Sequence, residues 1–441
     1  MSTSITSAES ASETAAAESL LARLDFPRQN GTPGLQQAQA GLETALRAAG
    51  LEPATLPFAC HPARADAAAL ALLCVAFLLG RAAFRPSRRW LAAAGLALAA
   101  ALLAGAGDLD RLLPATTEAV LVTQVEPRGA PLRHVLLSAH YDSKTELLDH
   151  VGRGIVLGGA ALGGAATALL VLRRRRRALR PLGVLTALAF AAAAAVLALG
   201  GLRQPSRGTV DNAAACALLV ELAAATARQP LEHTRLTCVW FAGEENGAQG
   251  SAALAPRFAA ERIDACINLE AIGAGSEAVV SRYELRRHGI EAASAAVHGQ
   301  LERAAGSRLR HLPLPLWTDA GELLGAGVPA LTLLTVEPGA WGIRHLHGPG
   351  DTPAHFVWAG YTRVRALLQR FLTLEAAAIA PAGASRYPAA NFASGGTAWP
   401  GRRSPSSTIA PAGPTRSPSS TAASAPPTCG RSAPTTRTWA S

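Results

Sequence analysis

The chain has 441 residues, of which 49% are hydrophobic but only 5% aromatic, with a mean hydropathy of +0.19 and a formal net charge of +10. That length holds one large domain with additions. Much of the positive charge falls in two short arginine clusters and in the tail, which argues against a nucleic-acid-binding face. Six cysteines without a CxxC pair support neither a zinc ribbon nor a redox motif, and no internal repeat is apparent.

Residues 1–20 are polar and lack the apolar core of a cleavable signal peptide, so a disordered amino-terminal tail is expected. Residues 21–64 begin with a turn-rich stretch, Phe26 to Gly34, followed by an amphipathic helix over Leu35 to Leu51. Four Ala- and Leu-rich runs follow at intervals: Ala67 to Phe84, Trp90 to Gly107, Gly154 to Leu172 and Pro181 to Leu202. Each approaches or reaches the roughly 17 to 25 residues that cross a bilayer. They predict two transmembrane hairpins, over 65–107 and 154–202. Arg81, Arg85, Arg88 and Arg89 surround the first hairpin turn, and Arg173 to Arg177 with Arg180 fill the second. The bias of basic residues toward the cytoplasm puts both turns inside, and everything else on the opposite side. The alternative is a set of Ala-rich buried helices in a soluble protein. Gly158, Gly159, Gly163 and Gly164 weaken an isolated helix, but small residues favour close packing between membrane helices. The four runs hold no acid and no histidine, which argues against an ion-coupled transporter.

The segments 108–153 and 203–379 carry strand-like runs that end in polar clusters. His134 to Ala139 leads into His140, Tyr141 and Asp142. Asp211 and Asn212 precede the Ala-rich stretch Ala213 to Ala227, at a helix start where a short polar side chain can cap free N–H groups. Leu236 to Phe241 is followed by Glu244 and Glu245, Ala265 to Leu269 by Glu270, and His347 lies in a Gly-Pro-Gly loop. Carboxyl ends of strands are where open α/β sheets place their sites. Imidazole and carboxylate hold zinc at about 2.0 to 2.2 Å, and two ions about 3.5 to 4 Å apart need roughly five such ligands with one carboxylate shared. The chain offers five and a spare Glu. Taken singly, each has an ordinary explanation: a capped strand end, a solvated Glu pair, a helix cap, an acid paired with Arg, a loop histidine. Joint occurrence points to metal. Asp142 is placed to accept the other imidazole N–H of His140, and Asp351 either does the same for His347 or caps the following turn. From 380 to 441 Pro, Ser, Thr, Ala and Gly dominate, and a disordered tail is expected.

Five motifs, SAHYDS at Ser138 to Ser143, GTVDNAAAC at Gly208 to Cys216, FAGEENGAQGS at Phe241 to Ser251, INLEAIG at Ile267 to Gly273 and HGPGDT at His347 to Thr352, occur in one order. In that order they resemble the zinc exopeptidase family that includes the secreted bacterial aminopeptidases and, more distantly, the animal glutaminyl cyclases. The resemblance covers most of Leu21 to Leu374. It implies an α/β fold, a mixed β-sheet flanked by helices, here with four inserted transmembrane helices. It also implies two zinc ions per chain, one held by His140 and Glu270, the other by Glu245 and His347, with Asp211 bridging and Glu244 as general base. Glu270 stands where most secreted members carry Asp, as in the multi-pass membrane members. His347 is followed by Gly where Ser or Thr is usual, which leaves His345 as the fallback ligand. Asp319, in WTDAGELLGAG, resembles a family turn near the substrate, or is an N-cap for the helix after it. The expected activity is removal of amino-terminal residues from a peptide by an enzyme of the bacterial inner membrane, with its catalytic domain on the extracytoplasmic side and lipid as its other partner. A single-zinc glutaminyl-cyclase-like acyltransferase, suggested by HYDSK, and an inactive membrane scaffold are the alternatives.

Overall fold

The computed structural model describes residues 15–374, apart from Pro86, residues 173–175 and the side chains of residues 150, 172 and 176–179. The expected tail over 380–441, residues 1–14 and most of the second arginine cluster lie outside the described residues.

The expected amino-terminal tail is too long: residues 15–23 form a helix, α1. Ala17, Leu20, Leu21 and Leu24 recur at helical spacing and are buried, so apolar contact orders what polarity alone suggested was loose. Helix α2 (Pro33–Ala48) has Pro in its first turn, where no N–H is needed, and buries Leu35, Ala38, Leu42 and Leu46 along one face.

Eight strands form the main sheet: β1 (Ala54–Cys60), β2 (Thr116–Val125), β3 (Arg133–His140), β4 (Thr234–Phe241), β5 (Ala265–Glu270), β6 (Glu277–Val280), β9 (Arg310–His311) and β11 (Ala330–Val336). Their order is β1-β2-β4-β3-β5-β11-β6-β9. The centre is parallel, β4 with β3, β3 with β5 and β5 with β11, while β1, β2 and β6 join antiparallel. Strands β3 and β4 are buried along their whole length, which is why their sequences read as apolar runs rather than alternating. A smaller sheet, β10-β7-β8, comprises β7 (Tyr283–Arg286), β8 (Gly289–Ala292) and β10 (Leu316–Trp317).

Helices flank the main sheet. Helix α7 (Ala214–Arg228) contacts β2, β3 and β4 and also meets α2 and α11 (Trp358–Leu372), which packs on α9 (Ala295–Ala305). Helix α8 (Gln249–Ala260) packs against α10 (Asp319–Gly325), which contacts β11. The architecture is thus the mixed sheet flanked by helices expected from the sequence.

The four apolar runs form α3 (Arg64–Phe84), α4 (Arg88–Gly105), α5 (His150–Leu172) and α6 (Arg176–Ala198). Helix α3 packs on α4 and α6, and α5 on α6. Leu70, Phe77, Leu96, Leu102, Ile155, Leu162, Leu185 and Leu188 all point outward, each more than 60% exposed. At the first hairpin turn the guanidinium groups of Arg81 and Arg89 lie 5.7 and 5.8 Å from the Trp90 ring centroid, and that of Arg180 lies 5.0 Å from Phe84. Among the described residues five helices are long and apolar enough to cross a membrane; the fifth, Thr209–Arg228, has 83% of its apolar window buried within the protein and is a core helix.

Candidate metal centre

The site lies at the carboxyl ends of the central parallel strands. In β3 and β4 the register pairs His140 with Phe241, and in β5 and β11 it pairs Glu270 with Leu334. This brings His140, the Glu244–Glu245 turn and Glu270 to one edge. Asp211 reaches the same edge from Thr209–Ala213, where Asp211 (φ −118°, ψ 85°) and Asn212 (φ −140°, ψ 34°) depart from helical geometry. The expected capping position is therefore an irregular turn that aims the Asp211 carboxylate into the site. Asn212 faces the other way and donates to Leu269 O at 2.8 Å.

Asp211 presents its two oxygens to two different imidazoles. Its Oδ1 is 3.2 Å from His140 Nε2, and its Oδ2 is 3.0 Å from His347 Nε2. His140 Nε2 also lies 2.9 Å from Glu270 Oε1 and 3.9 Å from Glu244 Oε2, and His347 Nε2 lies 3.1 Å from Glu245 Oε2. Ligand atoms of His140, Asp211 and Glu270, and of Asp211, Glu245 and His347, each fall within 4.8 Å of one another. All five sequence-predicted ligands and Glu244 thus converge. His345, the fallback, is turned away and stacks on His355 with ring centroids 4.3 Å apart.

Electrostatics give the cluster a definite demand. Burial opposes charging His140, yet Glu270 and Glu244 hold its pKa well above the ordinary value, and Glu245 and Asp211 do the same for His347. Burial, reinforced by like charges, pushes Glu270 to about 7 and Glu244 well upward. Many buried carboxylates around two imidazoles call for added positive charge. Nitrogen and oxygen donors of this kind suit a borderline divalent cation, and Glu245 Oε1 is buried with no hydrogen-bond partner among the described residues. The donor set fits a metal.

Asp142 organises the site from behind. Its carboxylate accepts from Asn30 Nδ2 (2.6 Å), Glu245 N (3.0 Å) and Glu244 N (3.4 Å) and lies 3.5 Å from His140 Nδ1, which also approaches the Asp142 carbonyl at 3.1 Å. Asp351 does not face His347. It accepts from Val210 N (2.6 Å) and Asp211 N (3.2 Å), bracing the irregular turn. Asp319 is not the N-cap: Thr318 fills that position, accepting from Ala320 N at 3.2 Å. The Asp319 carboxyl is fully buried, and burial pushes its pKa to about 8. Neither of its oxygens has a hydrogen-bond partner among the described residues, and the Ser251 hydroxyl beside it is committed to Ala248 O at 3.1 Å.

Two residues had no signal in the sequence. Arg28 is fully buried and donates to the carbonyls of Tyr141 (2.9 Å), Leu24 (2.6 Å), Arg207 (2.6 Å) and Gly208 (2.8 Å), tying the amino-terminal turn to the first two of the five motifs. Glu146 takes the place expected of Asp351, with Oε2 3.0 Å from His347 Nδ1.

Among solved structures the chain is similar to a glutaminyl cyclase from Fimbriiglobus ruber (15% identity, 82% of this chain and 94% of that chain, TM-score 0.48). It is also similar to a zinc aminopeptidase from Bacillus subtilis (13%, 80% and 93%, TM-score 0.49) and to a leucine aminopeptidase precursor from Bacteroides thetaiotaomicron (12%, 82% and 97%, TM-score 0.47). Comparison with curated proteins returned no match. The profile of peptidase family M28 matches residues 121–372, more than half of the sequence and the stretch that contains every residue of the cluster, and the chain belongs to that family.

Proposed function

We propose that this protein is a membrane-anchored dinuclear zinc aminopeptidase, with Glu244 as general base. The observation that carries the two-metal reading is the divided Asp211 carboxylate, one oxygen toward His140 and the other toward His347. His140 and Glu270 would hold one ion, Glu245 and His347 the other, with Asp211 shared. When bound, such a pair supplies Lewis acidity, polarising a carbonyl and lowering the pKa of water.

The protein's own groups do the rest. Glu244 sits beside the ligand Glu245, with Oε2 3.9 Å from His140 Nε2; in this role it takes the proton of the attacking water and returns it to the leaving amine. Its buried, acid-rich surroundings raise its proton affinity, which suits that exchange. Asp142 fixes the Glu244–Glu245 turn through two backbone N–H groups and steadies the His140 ring.

Membrane anchoring rests on α3 to α6, whose outward apolar side chains would leave a large unsolvated surface in water. The Arg81, Arg89 and Trp90 group suits a membrane interface, where amphipathic rings and basic side chains settle. With both hairpin turns in the cytoplasm, the cluster faces the extracytoplasmic side, where peptides are its substrates.

The test is metal content of the detergent-purified protein, together with hydrolysis of aminoacyl substrates and cyclisation of amino-terminal glutaminyl substrates. Two zinc per chain with release of free amino acids is expected. One zinc with cyclisation would replace this reading by a glutaminyl-cyclase-like acyltransferase, and neither metal nor turnover would leave an inactive scaffold.

A further inference from the structure

We propose that Glu146 is a positioning residue for His347, and that the roots of the second membrane hairpin hold it there, so that metal affinity at the His347 side depends on how that hairpin is seated. This rests on the metal-centre reading above and extends it to residues outside the ligand set.

The two ring nitrogens of His347 have different surroundings. Nε2 faces Asp211 and Glu245, while Nδ1 faces Glu146 Oε2 at 3.0 Å. That contact is an ion pair and not a well-aligned hydrogen bond, yet both atoms are buried and neither has another hydrogen-bond partner among the described residues. Among the described residues, this ion pair is thus the polar contact at each of the two atoms. The backbone repeats the link, since Glu146 N donates to His347 O at 2.9 Å. A carboxylate on the second nitrogen keeps the proton at Nδ1, leaves the Nε2 lone pair free for a metal and fixes the ring plane.

Glu146 is in turn held by the hairpin. Its Oε1 pairs with Lys144 Nζ at 2.9 Å and with Arg153, in the first turn of α5. From the other root, beyond α6, Arg203 donates to Leu147 O at 3.1 Å, and Ser206 N donates to Thr145 Oγ1 at 3.0 Å. Gly200 packs so closely here that a Cβ on it would stand 2.2 Å from Thr145 O. Residues 145–147 are thus gripped from both ends of the hairpin, with Glu146 pointing at the ligand.

The experiment is zinc affinity of the full-length protein by competition with a chelator, together with melting of the metal-free form. Glu146→Gln is expected to weaken one of the two ions by about 10- to 100-fold while the other keeps its wild-type affinity, the melting of the metal-free form reporting separately what the lost ion pairs cost. Glu146→Asp should recover part of the loss. Arg153→Gln, which leaves every ligand and Glu146 in place, should weaken the same ion to a smaller degree, and it serves as the deciding variant if Glu146→Gln does not fold. Wild-type affinity for both ions in Glu146→Gln, or in Arg153→Gln where that variant decides, overturns the inference while leaving the metal centre intact. A wild-type protein that binds no zinc overturns both.

Discussion

A carboxylate that bridges must offer both oxygens, and Asp211 does so because the chain around it abandons helical geometry, braced by Asp351 on two backbone N–H groups. Asp211→Ala is therefore expected to lose both ions, and an unchanged metal content would remove it from the bridging position. Glu244→Gln keeps size and shape while deleting the base; turnover should fall by about 10²- to 10⁴-fold with metal content unchanged. Retained activity would take Glu244 out of the mechanism. A third residue tests electrostatics away from the centre. Glu284, fully buried, accepts from Thr318 Oγ1 at 3.0 Å, and burial pushes its pKa to about 7. Its folded-state value lies above the unfolded one, so its contribution is intact at acid pH and is lost as pH rises from about 4.5 through 7, on the order of 3 kcal/mol in all. Glu284→Gln escapes that loss. Its melting temperature should match wild type near pH 4.5, exceed it increasingly up to pH 7 and then hold a constant lead; a lead that does not grow would mean that Glu284 ionises freely. The five proposed ligands were legible in the sequence because His140, Glu245 and Glu270 fall at or just beyond predicted strand ends, Asp211 at a predicted helix start and His347 in a Gly-Pro-Gly loop. Glu146 was not, because what makes it matter is a contact with a histidine far along the chain.

At the scale of elements, the sequence located the four apolar helices and the central strands well, since unbroken apolar runs leave little choice. Their first turns were harder to read. Helices α3 and α5 begin three and four residues before the apolar runs, at Arg64 and His150, because their opening turns carry arginines that pair with acids outside the hairpins, Arg64 with Asp110 and Arg153 with Glu146. Arg64 pairs with Asp110 and donates to Asn246 O at 3.2 Å, next to the Glu244–Glu245 turn. Helix α11 depends on a close approach instead: a Cβ on Gly360 would sit 1.9 Å from Gly275 O, in the loop that follows Glu270. Gly360→Ala should displace α11 and cost about 1–3 kcal/mol, as overpacking does. An unchanged melting temperature would show that the loop yields.

For the whole molecule, on the proposed membrane reading, hydropathy sets the crossings and the arginines set the direction. Ser87 lies between α3 and α4, and Ser307 is exposed beyond α9. Ser307→Cys should react with an impermeant maleimide in intact cells, and Ser87→Cys only after permeabilisation. The opposite pattern would invert the orientation and put the metal cluster in the cytoplasm.

The second hairpin interrupts the sequence between His140 and Asp211, so no nascent chain holds both until α5 and α6 have been made. On the proposed topology, ribosomal synthesis and metal loading are then separated in space. On that topology the polypeptide would leave the cytoplasm as an apoprotein, and its ions would be drawn from the compartment outside, whose free zinc, not that of the cell interior, would set how much of the protein is charged.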